Sequence, residues 1–181
     1  MNHRYARVLT SAALTALLTS CAASRVATEP KIPEQLKVPP AQVLLLDSQA
    51  SGVQIYVCRA SKDDPALFAW VFTAPEAQLF NGAGKVIARH YAGPTWEAND
   101  GSKVIGEVVA RDDGSDPGAI PWLLLSAKST AGTGILSRTQ FIQRLRTSGG
   151  RAPAQSCNQS RVGAKARVPY SAGYKFYAGE P

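Results

Sequence analysis

Histidine is almost missing from this chain of 181 residues: there are two, His3 and His90. The three cysteines, Cys21, Cys58 and Cys157, form no CxxC pair. Zinc and copper sites recruit several nitrogen or sulfur ligands, so no metal site is expected, and no other cofactor. No GxGxxG opens a βαβ unit, and strands do not alternate with helices, which excludes a dinucleotide fold. The apolar run at residues 8–18 covers eleven positions. A helix that crosses a bilayer needs roughly 18–20, so none is expected there.

That short run fits a leader instead. His3, Arg4 and Arg7 form a basic start, no acid precedes Glu29, and small residues follow the apolar stretch. This is the order of a secretory signal peptide. It ends in Leu18-Thr19-Ser20-Cys21, which resembles the bacterial lipobox. There, a cysteine after one branched and two small residues receives diacylglycerol and becomes the acylated N-terminus. Residues 1–20 are therefore read as a lipoprotein signal peptide, with Cys21 as the lipidation site. Ala22 in place of Asp resembles the sorting pattern of outer-membrane lipoproteins. The expected location is the bacterial cell envelope, facing the periplasm, with the membrane as partner through the lipid.

Residues 21–42 carry Pro30, Pro33, Pro39 and Pro40 and show almost no apolar periodicity. Proline blocks helix and favours extended chain, so the segment reads as a tether. Twenty such residues reach at most roughly 60 Å, at about 3.1 Å each. Residues 43–181 then suit one domain. The formal charge of +7 falls to +5 once Arg4 and Arg7 are left out. Much of that excess lies after residue 140, where seven Arg and Lys face only Glu180. In an exported protein this reads first as a solvated face, then as attraction to an anionic membrane. Nucleic acid is not an expected partner. With Cys21 assigned to lipid, Cys58 and Cys157 are an isolated pair in an oxidising compartment, and a disulfide is expected.

The pattern of the domain is β nearly throughout. In GVQIYVC, Val53, Ile55 and Val57 alternate with Gln54, Tyr56 and Cys58. In SKVIGEVVARDDG, Val104, Gly106, Val108 and Ala110 share one side. Period-two alternation marks half-buried strands. RTQFIQRLRTSGG is read as a strand rather than a short helix, and the continuously apolar WLLLSAK as a strand covered on both faces. Turn signals at 81–84, 92–94, 99–101, 112–118 and 148–150 separate these runs. An all-β antiparallel domain follows, a β-sandwich slightly ahead of a closed barrel.

Several segments resemble one family together: GVQIYVC, AWVFTAPEAQLF, GKVIARHYAGPTWEANDGSKVIGEV, AIPWLLLSAKS, FIQRLRTSGGRAP with Cys157, and RVPYSAGYKFY. In that order they resemble DUF3455, a family of exported proteins that carries no established activity. The resemblance supplies no residue roles.

Chemistry must then be sought in the residues, and HYAGPTWEANDGS at 90–102 is the densest stretch. His90, Asp100 and Ser102 are the residue types of a hydrolytic triad. Yet Ser102 lacks a GxSxG elbow, and Asp100 and Ser102 flank Gly101, where short polar side chains serve a turn. Glu76, Glu97, Asp100 and Glu107 could supply facing carboxylates for glycosidic cleavage, but spacing along the chain shows no such facing. What stands out is His90, Tyr91, Trp96 and Asp100 as a candidate ligand-binding group, with aromatic surface for a sugar ring or peptide. The expectation is a non-catalytic envelope lipoprotein that binds a small ligand, glycan or envelope protein. The rivals are a hydrolase using His90 with an acid of the 97–100 loop, and a structural or assembly factor.

Overall fold

The computed structural model describes residues 31–180. The expected signal peptide, Cys21 and the first part of the proline-rich segment, through Pro30, lie outside the described residues.

Eight strands run in sequence around a closed antiparallel barrel. They are β1 (Gln42–Ala60), β2 (Phe68–Phe80), β3 (Val86–Tyr91), β4 (Thr95–Ala98), β5 (Lys103–Asp112), β6 (Trp122–Ala131), β7 (Phe141–Gly149) and β8 (Lys165–Gly179). The all-β expectation holds, and of the two architectures the barrel is the one adopted, not the sandwich. Closure comes from the two chain ends. β1 and β8 zip together from Gln42↔Gly179 to Val57↔Lys165, the longest ladder of the fold. The expected turns at 81–84, 92–94 and 99–101 join β2 to β3, β3 to β4 and β4 to β5. RTQFIQRLRTSGG supplies β7, as its alternation predicts.

Alanines facing large rings fill one half of the interior. Ala50, Ala77, Ala88, Ala98 and Ala172 are buried around Leu79, Trp96, Tyr174 and Phe176. Small and large residues must alternate here, because eight strands enclose only enough space for side chains or one small ligand. Gly106 shows how tight the fit is. A Cβ there would lie 3.0 Å from the Trp96 ring and 3.1 Å from Leu125.

Two strands face differently from their apolar pattern. In β1 it is Gln54, Tyr56 and Cys58 that are buried, whereas Val53, Ile55 and Val57 are only partly covered. In β5 a bulge between Val108 and Ala110 turns Ala110 to the outside, so the shared side expected for residues 104–110 ends at Val108. Bulges re-aim side chains in this way.

The outside is covered over β6 and β7. Leu36, in the 3-10 turn Glu34–Leu36, is fully buried against Trp122, Leu124 and Leu145, with Ile32 and Val38 alongside. Gln143 Nε2 donates to Leu36 O at 2.6 Å, and Gln35 Nε2 donates to Asp112 Oδ2 at 2.8 Å. Residues 32–38 of the expected tether are thus docked as a strap, because their apolar side chains complete a second core. The strap also explains WLLLSAK: Leu125 faces the interior, and Trp122 and Leu124 face the strap. Elsewhere the outer wall carries Glu76–Arg167, Arg89–Glu97 and Asp47–Lys175 ion pairs beside partly covered apolar residues such as Val53, Ile55 and Val71.

Cys58 and Cys157 form a disulfide, with Cα atoms 5.5 Å apart. It pins the loop before β8 to the end of β1, where Cys58 N also donates to Ala164 O at 2.9 Å.

Candidate functional site: a cavity opening through the barrel wall

The hairpin of β3 and β4 is too short for the strands beside it. β3 pairs with β2 only over residues 77–80, and β4 pairs with β5 only over residues 103–105. The last bridge is Gly106 N donating to Pro94 O at 3.0 Å. Beyond it, residues 68–76 of β2 and 107–112 of β5 continue with no strand between them. The barrel is closed in one half and has a window in the other. The turn at 92–94 forms the sill, and Gly93 makes it possible with a φ of 129°, a value side chains rarely tolerate.

Through the window lies a cavity of about 620 Å³. Phe72, Pro94, Val108, Ile120, Leu123 and Leu125 give it apolar walls, and Gln54, Tyr56, His90, Trp96, Arg144 and Tyr174 line it as well. The inverted face of β1 now has its reason, since Gln54 and Tyr56 point at this space. Phe72 and Val108 are 48% and 52% exposed at the rim, whereas Trp96 and Leu125 are buried.

Some polar groups of the cavity are satisfied. Tyr56 donates its hydroxyl to Gly150 O at 2.6 Å, and Arg144 Nε donates to Pro121 O at 3.0 Å. Others are not. Gln54 Nε2, Trp96 Nε1 and the Tyr174 hydroxyl are buried without a well-formed hydrogen bond, as is the hydroxyl of Tyr170, outside the lining, which Gln54 and Tyr174 face. Such groups are few in folded proteins, and each calls for an explanation. Burial raises the pKa of both tyrosines, and the positive charge of Arg144 opposes that rise.

His90 sits at the floor. Its Nδ1 lies 2.8 Å from Thr95 O. A carbonyl only accepts, so the proton is on Nδ1. Burial, reinforced by Arg144, pushes its pKa down to about 3 despite that bond. The ring is therefore neutral at physiological pH. It stacks on Trp96 and meets the Tyr174 ring edge-on at 5.4 Å.

The other candidate residues fall in different places. Trp96 joins His90 in the cavity, but Tyr91 lies on the outer wall and donates to Glu97 Oε2 at 2.7 Å. Arg89 and Lys103 also reach Glu97, at 3.0 and 3.5 Å, and the tyrosine bond and these cations pull its pKa down to about 2. Asp100 stands at the far end of the hairpin from the sill. Its Oδ1 accepts from Ser102 N at 2.9 Å and Ser102 Oγ at 2.5 Å, and its Oδ2 accepts from Ile135 N at 2.8 Å. Ser102 Oγ accepts in turn from Leu136 N at 3.1 Å. Asp100 and Ser102 thus latch two loops together and make no triad with His90. Glu76 is paired with Arg167 at 2.8 Å on the outside. No carboxylate lines the cavity. Among the described residues no cluster of three His, Cys, Asp or Glu could hold a metal.

Sequence reasoning passed over Gln54, Tyr56, Arg144 and Tyr174. The available signal was the polar face of GVQIYVC and the alternating tyrosines of YSAGYKFY. A wider, shallower depression of about 730 Å³ lies outside the same hairpin, but its carboxylates, Glu76 and Glu97, are already ion-paired.

Comparison with curated proteins and with solved structures gives no match. The model of a family described as proteins of unknown function, DUF3455, matches residues 39–178, which takes in all eight strands except the last residue of β8. The chain belongs to that family.

Proposed function

We propose that this protein is an exported envelope lipoprotein, anchored through Cys21, whose barrel binds a small, mostly apolar ligand without transforming it. The observation that carries the binding is the windowed cavity, several of whose buried polar groups lack a well-formed hydrogen bond. Its volume falls within the roughly 300–1,000 Å³ of small-molecule sites, and like them it combines apolar walls with a few convergent polar groups. The lining also argues against hydrolysis. It offers a neutral imidazole but no carboxylate, serine, cysteine or lysine beside it. An assembly factor would need an exposed apolar patch rather than a recess. The anchor rests on the leader and Leu18-Thr19-Ser20-Cys21.

Two experiments test this reading. N-Phenyl-1-naphthylamine, a neutral fluorescent probe, should bind the wild-type domain and brighten. Val108→Trp, which fills the window from its exposed rim, should lower that affinity at least tenfold with unchanged melting temperature. Equal binding by both proteins would remove the cavity from consideration. In a bacterial host, Cys21→Ser should move the protein from the membrane to the soluble fraction, and unchanged partitioning would end the lipoprotein proposal.

A further inference from the structure

The cavity's polar groups are lopsided. Trp96 Nε1 is a donor only and is buried and unpartnered, and Gln54 Nε2, also a donor only, faces the Tyr170 hydroxyl with one N–H and keeps a second to spare. The Tyr174 hydroxyl oxygen faces Tyr170 and Arg144 as acceptor, neither bond well formed, and its own O–H can still donate. The guanidinium of Arg144 has five N–H groups, of which Nε–H is spent on Pro121 O and another faces the Tyr174 hydroxyl, so the rest are to spare. In register Arg144 stands opposite Tyr174 on β8 and Leu123 on β6, which puts it on the inward face. Among the described residues no carboxylate pairs with Arg144. The nearby Arg111 at the window is paired outward, with Asp113 at 3.1 Å. A partly buried cation and several idle donors, with no anion near them, form a costly arrangement unless a ligand supplies the acceptors.

Resting on the cavity-binding reading, we propose that the ligand is an amphipathic carboxylate: its anionic head sits on Arg144 among the idle donors of Gln54, Trp96 and Tyr174, and its apolar body lies between Phe72, Val108 and Leu125. A carboxylate suits a guanidinium because two parallel N–H···O bonds match its two oxygens. The apolar walls favour a chain or ring over a sugar, whose hydroxyls would bring many donors into a site that already has them in excess. The recess suits a small molecule, not a folded partner.

The test uses the purified domain and displacement of N-phenyl-1-naphthylamine by three competitors: dodecanoate, 2-naphthoate and dodecanol. At least one of the two carboxylates should displace the probe tenfold or more better than dodecanol. Which one does so distinguishes a chain from a ring. Arg144→Gln should still bind the neutral probe yet prefer the carboxylate by less than threefold, and Arg144→Lys should keep part of the preference. If dodecanol competes as well as both acids, or Arg144→Gln keeps the full preference, the inference is overturned while the cavity reading stands. If the wild type does not bind the probe at all, both fall. Should Arg144→Gln lose its fold, judged by circular dichroism, Arg144→Lys and the wild-type ratios decide the matter.

Discussion

The imidazole of His90 lies flat on the indole of Trp96, with centroids 4.2 Å apart and planes 7° from parallel. Both residues belong to one antiparallel pair, facing each other across β3 and β4. The stack makes the floor of the cavity from a ring that resists protonation.

Acid sensitivity follows from that resistance. The folded-state pKa of His90, about 3, lies below its ordinary value of 6.5. Between the two, the unfolded chain takes up a proton that the folded protein refuses. The stabilisation is complete above pH 6.5 and declines as pH falls toward 3, by up to about 1.4 kcal/mol per pH unit. His90→Phe keeps a ring on Trp96 but cannot titrate. Urea denaturation at pH 6 and pH 4 should show a slope flatter by about one proton in this variant, and equal slopes would contradict the assignment.

Asp100 is expected to matter for stability and not for ligand. Asp100→Ala removes the acceptor for Ser102 and Ile135 and loosens the loop that holds the fully buried Leu136. The melting temperature should fall, whereas N-phenyl-1-naphthylamine affinity stays within twofold of wild type. A selective loss of binding with unchanged melting would return Asp100 to the site.

The strap over β6 and β7 predicts a cost far from the window. Leu36→Ala empties a fully buried position, and substitutions of this kind destabilise by about 2–5 kcal/mol. Denaturant midpoints check this directly. A change below about 0.5 kcal/mol, the scale of ordinary surface substitutions, would show that residues 32–38 act as free tether after all.

Replacing Cys58 and Cys157 together by alanine opens a loop spanning 99 positions. Chain entropy places the loss at about 4–5 kcal/mol. Thiol labelling of the wild-type protein, purified without reductant and then denatured, should find neither Cys58 nor Cys157 free.

The strands and hairpins were legible because each is written locally, as alternation closed by Asn-Gly, Asp-Gly or Gly-Pro. The disulfide was legible from the small number of cysteines, taken with the export that the leader led us to expect. Closure was not, since Gln42 meets Gly179 across the whole domain, and no local pattern reports such a partner. The inward turn of Gln54 and Tyr56 was hidden for a related reason. Alternation shows that two faces differ, but the more apolar face is inside only when the interior is packed solid. Here part of it is a cavity. His90 and Trp96 attracted notice correctly as a pair, yet their position beneath a window depends on β3 and β4 being shorter than their neighbours. The strap was obscured by Pro33, Pro39 and Pro40, whose spacing masks Leu36 and Val38 between them and Ile32 just before.

A barrel normally leaves no strand edge, but the short β3–β4 hairpin restores two. The stretches at 68–76 and 107–112 each keep one side of their backbone without a neighbouring strand, the situation that invites a foreign strand to add on. Both are guarded. Pro75 interrupts the first row with a residue that has no N–H to offer, and the Val108–Ala110 bulge breaks the regular spacing of the second. The opening is thereby selective by shape of partner: a compact molecule can enter between the edges, but an extended peptide finds no continuous ladder on which to dock.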